Sequence, residues 1–379
     1  MRIYLDHNAT TPVREEVVAE MLRVLRDCYG NPSSTHAEGA AARGELDRAR
    51  DQVAGLIGCR PGEVVFTGSA TEANNAAIFG LIRAPGAHLV TTNVEHPSVE
   101  EPVTALEAAG IRATRVAVDA EGRVDPDQVA DAITDATALV SVMLANNETG
   151  VLQPIEAIAE RVHARGRLLH VDATQAVGKI PVDAGRLGAD LLSASAHKFN
   201  GPKGAGFLFQ RAGVELAPHV QGGPQERRRR GGTENLAGIV GLGVACSLAE
   251  YELSDRTDRY ARLRDRLWEG IRSKVSGMRR NGSPRHVLPN TLNVEFAGTA
   301  GEVLLEALDL EGISVSAGAA CHSGSIEPSR VLTAMGCSPA QARGSLRFSV
   351  GHGVDDAQID RVLAVLPDLV ARVREVGGP

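Results

Sequence analysis

The chain has 379 residues and a formal net charge of -7 at pH 7, with 43% hydrophobic and 3% aromatic residues. This length allows two domains, and the hydrophobic fraction is ordinary for a globular protein with a sizeable core. The acidic balance argues against a general nucleic-acid-binding protein. The sequence has no amino-terminal apolar signal region and no run of about 18 apolar residues, so we expect a soluble, cytoplasmic protein.

The cysteines are scattered along the chain, at Cys28, Cys59, Cys246, Cys321 and Cys337. They form no C-x-x-C pair and no zinc-ligand spacing, so we expect no metal site. An odd, scattered set is typical of free thiols in a reducing compartment. All except Cys321 lie in predicted helical or capping contexts, and we interpret those four as structural.

The first part of the chain predicts a short strand and turn over 1–12, a helix opening near Pro12, and a second helix over 38–57. A strand at 64–67 then leads into a helix that ends at Leu81. Small residues at this junction would let backbone amides approach an anion at the helix N-terminus. The alternative is a plain helix cap, with Ser69 or Thr71 satisfying the first turn, and the junction alone is a weak signal for phosphate. The junction lacks the G-x-G-x-x-G and Walker patterns, so a nucleotide is not favoured.

Buried strands then alternate with amphipathic helices. Strands are predicted at 88–92, 113–118, 139–144, 168–171, 190–194 and 206–209, and helices from Pro97, at 125–133 and near 155–165. This alternation predicts a parallel sheet covered by helices on both faces. Ligands bind such sheets beyond the carboxyl ends of the strands. Counting the strand at 64–67, polar clusters follow five strand ends, at Thr71, Glu95-His96, 146–148, 172–175 and 195–198.

Two of these clusters have the chemistry of a pyridoxal 5'-phosphate (PLP) site. Lys198 follows a buried strand beside His197, and a partly desolvated lysine amine can form a Schiff base. The alternative for a lone lysine is a solvated loop position. Asp172 ends another buried strand and offers an acid for a pyridinium nitrogen, which is the second requirement of a PLP site.

The pattern changes within a helical stretch over 234–275. We place a domain boundary in its polar middle, which gives a large domain over 13–255 and a small domain made of 1–12 and 256–379. The small domain is α+β: strands are predicted at 291–296, 313–316 and 345–349, with helices at 302–310, 329–335 and from Asp355. The predicted fold class is therefore α/β, with a mostly parallel sheet and a smaller α+β domain.

Several motifs occur together in an order that resembles one family. They are Leu5-Asp6-His7-Asn8-Ala9-Thr10-Thr11-Pro12, Glu95-His96-Pro97, Ala145-Asn146-Asn147-Glu148-Thr149-Gly150, His170-Val171-Asp172-Ala173-Thr174-Gln175, the Lys198 segment, Gly231-Gly232-Thr233-Glu234-Asn235, Ala319-Ala320-Cys321 and Arg347-Phe348-Ser349. The chain resembles the NifS/IscS-type cysteine desulfurases, which are class-V aminotransferase-like, fold-type I PLP enzymes. The resemblance implies a homodimer that takes sulfur from L-cysteine and releases L-alanine.

The resemblance also implies roles for matching residues. Lys198 would bind PLP covalently, Asp172 would pair with the pyridinium nitrogen, Gln175 would contact the ring hydroxyl, and His96 would stack on the ring and handle protons. The phosphate would be bound by Ala70, Thr71, Ser195 and His197, with Thr233 reaching the phosphate in the other subunit. Asn147 would contact the cofactor and, with the planar fork of Arg347, hold the substrate carboxylate.

By the same resemblance, Cys321 would attack the substrate sulfur as a thiolate and carry the resulting persulfide to an acceptor protein. Its loop, 316–324, is rich in Gly and Ser, so we expect it to be mobile. His322 stands where the family commonly has a small residue. It either lowers the pKa of the thiol or points to solvent.

Some alternatives stay open. A Cys-His-Ser sequence at this position also occurs in selenocysteine lyases, so a selenocysteine lyase or related PLP β-lyase is the nearest rival. An aminotransferase has no use for Cys321, and a catalytically idle sulfur-transfer scaffold would lack cofactor absorbance. The run 227–230 of four arginines serves either an interface, the cofactor region or a solvated surface. The acceptor, in iron–sulfur cluster assembly or thio-modification, is not specified.

Overall fold

The computed structural model describes residues 2–317, 321–322 and 325–376, excluding the side chains of 321–322, 325–326 and 376. Its strands are β1 Ile3–Tyr4, β2 Val64–Thr67, β3 His88–Thr92, β4 Arg112–Val116, β5 Thr137–Met143, β6 Leu168–Asp172, β7 Leu191–Ser195, β8 Gly206–Gln210, β9 Met278–Asn281, β10 Thr291–Phe296, β11 Ile313–Ser314, β12 Ser316–Ala317, β13 Cys321–His322, β14 Ser325–Ile326 and β15 Ser345–Ser349. Its helices are α1 Glu15–Asp27, α2 Ala37–Leu56, α3 Ala70–Leu81, α4 Pro97–Ala108, α5 Pro126–Ala132, α6 Ile155–Ala164, α7 Gln225–Arg228, α8 Leu236–Lys274, α9 Gly301–Leu310, α10 Arg330–Ala334, α11 Pro339–Arg343 and α12 Asp356–Val376.

The large sheet has seven strands in the order β2-β8-β7-β6-β5-β3-β4. Strands β3 to β7 are mutually parallel, which confirms the predicted mostly parallel sheet. Strand β8 is antiparallel to both β7 and β2. The connection 196–205 between β7 and β8 explains this reversal, because it is too short for the crossover that a parallel pair needs.

A second, antiparallel sheet has the order β12-β15-β10-β9. The amino-terminal strand β1 pairs in parallel with β11, so the start of the chain joins this later part. Segment 9–14 is not helical, and α1 begins only at Glu15 and not near Pro12. The reason is that the segment is bound to the turn after β7: Thr11 N–H donates to His197 O, and Arg14 N–H donates to Asn200 O.

Helix α8 is continuous through the proposed domain boundary. Its first half packs in a hydrophobic core with the large sheet, where Leu242 and Cys246 are buried. Its second half packs in a separate core with the antiparallel sheet, where Leu263 and Leu267 are buried. Two cores joined by one helix are compatible with two domains that meet near residue 255, and we keep that division as a proposal.

The same helix contains a window whose mean hydropathy of 1.4 is sufficient, by length and composition, for a membrane span. More than half of that window, 56%, is buried inside the protein. A core helix has the same properties, so the window is weak evidence for a span.

Candidate active site

A cavity of about 230 Å³ lies beyond the carboxyl ends of the parallel strands. Predicted site residues form much of its lining: Ala70, Thr71, His96, Asn147, Asp172, Gln175, Ser195, His197 and Lys198. The structure therefore brings together the polar clusters that follow five separate strands. They meet because the carboxyl ends of parallel strands lie at one edge of the sheet.

Lys198 lies in the single 3-10 turn that follows β7. Its Nζ donates to the backbone carbonyls of Asn8 at 2.7 Å and Ala9 at 2.9 Å. The pKa of this amine is lowered from 10.5 to about 8, mainly by burial and also by the charge of Arg347, against the opposing effect of Asp172. An amine with this pKa is partly neutral near physiological pH, which is the form that attacks a carbonyl carbon.

Asp172 is the last residue of β6 and is 5% exposed. Its Oδ1 accepts the Thr174 N–H at 3.0 Å, and its Oδ2 accepts Asn74 Nδ2 at 2.8 Å. Both donors are neutral, so the buried carboxylate has no compensating charge from them. A cationic group in the cavity would supply that charge.

His96 caps the N-terminus of α4, and its Nδ1 accepts the Ser98 N–H at 3.0 Å. A ring nitrogen that accepts a backbone N–H carries a lone pair, so the neutral imidazole holds its proton on Nε2. Burial lowers the pKa of His96, which favours that neutral form. Ser98 Oγ lies 2.8 Å from the same Nδ1 and accepts Asn74 Nδ2 at 2.8 Å. Asn74 therefore connects the supports of His96 and Asp172.

The N-terminus of α3 forms another wall of the cavity. Ser69 caps the helix by accepting the Glu72 N–H at 3.1 Å. Ala70 and Thr71 occupy the first turn, where backbone N–H groups lack intrahelical acceptors and the helix dipole favours an anion. Strand β8 approaches this turn closely: a Cβ at Gly206 would lie 2.8 Å from the Ser69 carbonyl carbon.

This set of groups fits PLP. It includes an amine of lowered pKa for the aldehyde, a buried carboxylate for the ring nitrogen and a helix N-terminus for the phosphate. The cavity lining also includes Thr174, whose buried Oγ1 has no hydrogen-bond partner among the described residues. Such an atom is costly unless a ligand completes its hydrogen bonding.

Two predicted site residues lie outside the cavity lining. Arg347 Nη2 donates to Asp6 Oδ1 at 2.6 Å, and its Nη1 donates to the carbonyl of Asn147 at 2.9 Å. Thr233 lies in a separate pocket beside Phe66 and Glu226. Their roles toward substrate and the second subunit stay predictions.

The side chain of Cys321 lies outside the described residues, as does that of His322. The backbone of β13, which carries both, pairs with β14. The thiol's predicted role and the predicted mobility of 316–324 therefore stay predictions.

Three of the other cysteines are in environments that suppress thiolate formation. Burial raises the pKa of Cys59 to about 12 and also raises the pKa of Cys28 and Cys246. Cys337 is buried and accepts a hydrogen bond from Arg279 Nη2 at 3.3 Å. These positions are compatible with the structural roles that we predict for all four.

The arginine run divides into two pairs. Arg227 and Arg228 are exposed. Arg229 Nη2 donates to Val64 O at 3.1 Å, and Arg230 Nε donates to Glu72 Oε1 at 2.8 Å. The second pair therefore binds the loop to β2 and α3.

The sequence pattern gave no role to Asn74, Ser98 or Lys179, although all three contact site residues. Asn74 and Lys179 are buried polar side chains, and the only signal for them was a polar residue within an apolar segment. Ser98 had a local signal, because it follows His96 by two residues at a helix start.

Comparison with known proteins agrees with this site. The model of the family described as "Aminotransferase class-V" matches residues 3–362. A cysteine desulfurase of Trichormus azollae is 46% identical over 374 residues, covering 98% of this chain and 94% of the relative. Among solved structures, a NifS-like protein superposes with a TM-score of 0.92 at 36% identity, covering 98% of this chain and all of the other. The structure of SspA in complex with cysteine gives 0.83 at 35% identity, covering 93% and 99%.

The chain belongs to the aminotransferase class-V family, and within it to the NifS/IscS-type cysteine desulfurases. The resemblance that the motifs indicated is thereby confirmed.

Proposed function

We infer that this chain is a PLP-dependent cysteine desulfurase, which converts L-cysteine to L-alanine and leaves the sulfur as a persulfide on Cys321. The observation that carries this inference is the convergence of Lys198, Asp172 and His96 on one cavity, in a chain whose relatives are cysteine desulfurases. The cysteine bound by the structural neighbour SspA supports the choice of substrate.

We propose that Lys198 binds the aldehyde carbon of the cofactor and that Asp172 pairs with its ring nitrogen. The first turn of α3 binds the phosphate together with Ser195 and His197. When bound, PLP supplies an electron sink for the charge left on the substrate Cα. Asp172 stabilises a protonated ring nitrogen, and Asn74 keeps the carboxylate directed at the cavity. Burial lowers the pKa of His197 to about 4, so His197 contributes hydrogen bonds and no charge at neutral pH.

Two groups move protons in this proposal. The Lys198 amine takes the proton from the substrate Cα, for which a pKa of about 8 is well matched. When the Cys321 thiolate takes the substrate sulfur, the electron pair of the C–S bond stays on Cβ, and His96 donates its Nε2 proton to that carbon to give alanine. Ser98 and Asn74 keep the imidazole in that tautomer.

We propose that Asn147 and Arg347 bind the substrate carboxylate. Asp6 orients the Arg347 guanidinium, and a hydrogen bond to the Asn147 carbonyl ties it to the cavity wall. We further propose a cytoplasmic homodimer in which Thr233 of each copy reaches the other's phosphate. The persulfide then passes to an acceptor in iron–sulfur cluster assembly or thio-modification.

A selenocysteine lyase is the second candidate, and the sequence Cys321-His322-Ser323 is the observation that favours it. The two functions differ in whether Cys321 is needed to accept the chalcogen atom. A lyase that releases it directly does not need a persulfide carrier.

The Cys321→Ala variant tests the inference. We expect it to retain PLP and bind L-cysteine but to form almost no persulfide and little alanine. Cys59→Ala is the matched control, because burial keeps that thiol protonated, and it should retain wild-type activity. Undiminished alanine formation by Cys321→Ala with a reductant present would refute the role of Cys321. Lys198→Ala should in turn lose the absorption band of covalently bound PLP.

A further inference from the structure

A second lysine lies behind Gln175, on the turn that follows β6. Lys179 is 3% exposed, and its Nζ donates to Gln175 Oε1 at 2.8 Å and to Asn8 Oδ1 at 3.1 Å. Both partners are neutral amide oxygens. Lysine is rarely buried to this extent without a paired charge, so a position of this kind calls for a specific role.

The two contacts each use one N–H group of the Lys179 amine. Burial lowers the pKa of Lys179 well below 10.5, and the positive charges of Lys198 and Arg347 lower it further. Each of these two N–H groups has one amide oxygen as its acceptor. Lys179 therefore acts as a fixed pair of hydrogen-bond donors beneath the site.

These donors determine which way the Gln175 amide points. Gln175 Oε1 faces Lys179, and Gln175 Nε2 donates to the backbone carbonyl of Asn8 at 3.0 Å. In the flipped amide, the Gln175 and Asn8 oxygens would face each other and the Lys179 N–H would lose its acceptor, so the observed orientation is favoured. In the observed orientation, the second N–H of Nε2 is left for the cavity that Gln175 lines.

The orientation of the Asn8 side-chain amide is also determined by its hydrogen bonds. Its Nδ2 donates to Thr291 Oγ1 at 2.9 Å and to Asn147 O at 3.2 Å, so its Oδ1 must face Lys179. The backbone carbonyl of Asn8 also accepts Lys198 Nζ. Asn290 Nδ2 also donates to Asn8 Oδ1 at 3.0 Å, so Asn8 keeps its position when the Lys179 amine is removed.

We propose that Lys179 is a positioning residue that sets the orientation of the Gln175 amide, so that Gln175 presents an N–H donor to the cofactor's ring oxygen. This inference rests on the proposed function, in which Gln175 contacts that oxygen. The donor stabilises negative charge on the ring oxygen and thereby lowers the pH at which the absorption band of Lys198-bound PLP changes.

The backbone at Lys179 is held independently of its amine. The Lys179 carbonyl accepts Thr257 Oγ1 at 3.0 Å, and the Gly178 carbonyl accepts Arg256 Nη1 at 3.1 Å. Removal of the amine therefore changes the hydrogen bonds of Gln175 and leaves the turn anchored to α8. Methionine suits this purpose, because it is unbranched and close to lysine in length.

The experiment compares wild-type protein with Lys179→Met, Gln175→Met and the double variant. Two quantities are measured: the PLP affinity of the cofactor-free protein, and the pH midpoint of the visible band of the loaded protein. We expect Lys179→Met to weaken PLP binding about tenfold and raise the midpoint by about one pH unit. The double variant should match Gln175→Met alone, because Lys179 acts through Gln175.

Two further variants keep the test decisive. Lys203→Met removes an exposed lysine from the loop after β7 and should leave both quantities unchanged. In Lys179→Gln the side chain is polar but one atom shorter, so Gln175 Oε1 should lose its donor and the midpoint should shift as in Lys179→Met. This variant tests the proposal if the methionine variant is insoluble.

The absence of a shift in either soluble variant of Lys179 would overturn the proposal, as would shifts that add in the double variant. A wild-type protein without the PLP band would instead contradict the proposed function, and this inference with it.

Discussion

Removal of one partner from the buried ion pair of Arg50 and Glu226 should destabilise the protein strongly. The side chains are 9% and 2% exposed, and Arg50 Nη2 and Nη1 lie 2.7 and 2.9 Å from the two carboxylate oxygens. Glu226 Oε2 also accepts the Phe66 N–H at 3.0 Å. Glu226→Ala would leave a buried guanidinium without its counter-charge and the Phe66 N–H without its acceptor.

Breaking a buried pair from one side typically costs 3–5 kcal/mol. We expect the lower end, about 3 kcal/mol, because Arg50 keeps two other contacts. It still donates to Val64 O at 2.8 Å, and its guanidinium lies 4.6 Å from the centre of the Phe66 ring. Urea denaturation of the PLP-loaded proteins, followed by circular dichroism, measures the loss.

The exposed pair of Arg272 and Glu269 provides the control, and Glu269→Ala should change stability very little. The double variant Arg50→Met with Glu226→Leu should recover most of the loss, because apolar side chains of similar volume commonly replace a buried pair. A loss below about 1 kcal/mol in Glu226→Ala, or a double variant no better than the single one, would refute the reasoning.

Three other changes have defined outcomes. Burial raises the pKa of Glu95 from 4.5 to about 8, so its burial in the folded protein costs stability as pH rises through that range. The free energy of unfolding of Glu95→Gln relative to wild type should therefore increase between pH 5 and 8.5 in denaturation experiments. A difference that does not change with pH would contradict this. Ser98→Ala removes one of two groups that hold His96 Nδ1, so steady-state kinetics should show kcat falling about tenfold at unchanged PLP content. Arg228 has a φ of 65°, a backbone conformation that is strained for arginine but not for glycine. Arg228→Gly should therefore stabilise the protein by about 1 kcal/mol in urea denaturation, and a lower stability would refute the inference of strain.

The secondary-structure elements that the sequence predicts are those determined by their own local residue pattern. The bounds of β2, β10 and β15 are as predicted, since β2 is a short apolar run and β10 and β15 alternate polar and apolar residues. Strand β9 was missed because Met278–Asn281 contains two arginines and forms the edge of its sheet. Helix α11 was missed because its five residues are too few to show a helical period.

The same distinction applies to the site. Lys198 and Asp172 were predictable because each lies at the carboxyl end of a buried strand, and parallel topology then brings the strand ends together. Asn74 and Lys179 were not, since their burial results from packing between distant segments: Asn8 and Lys179 are in contact although 171 residues separate them. A single sequence does not show which polar side chains such contacts will bury.

The most direct test of the account is the visible spectrum of the purified, PLP-loaded protein during addition of L-cysteine, with alanine assayed in the same sample. The account predicts an absorption band of lysine-bound PLP that shifts when L-cysteine is added and the formation of alanine. The absence of the band even after PLP is supplied, or a band that L-cysteine leaves unchanged without alanine, would contradict it. Alanine from L-selenocysteine alone would assign the site to the lyase.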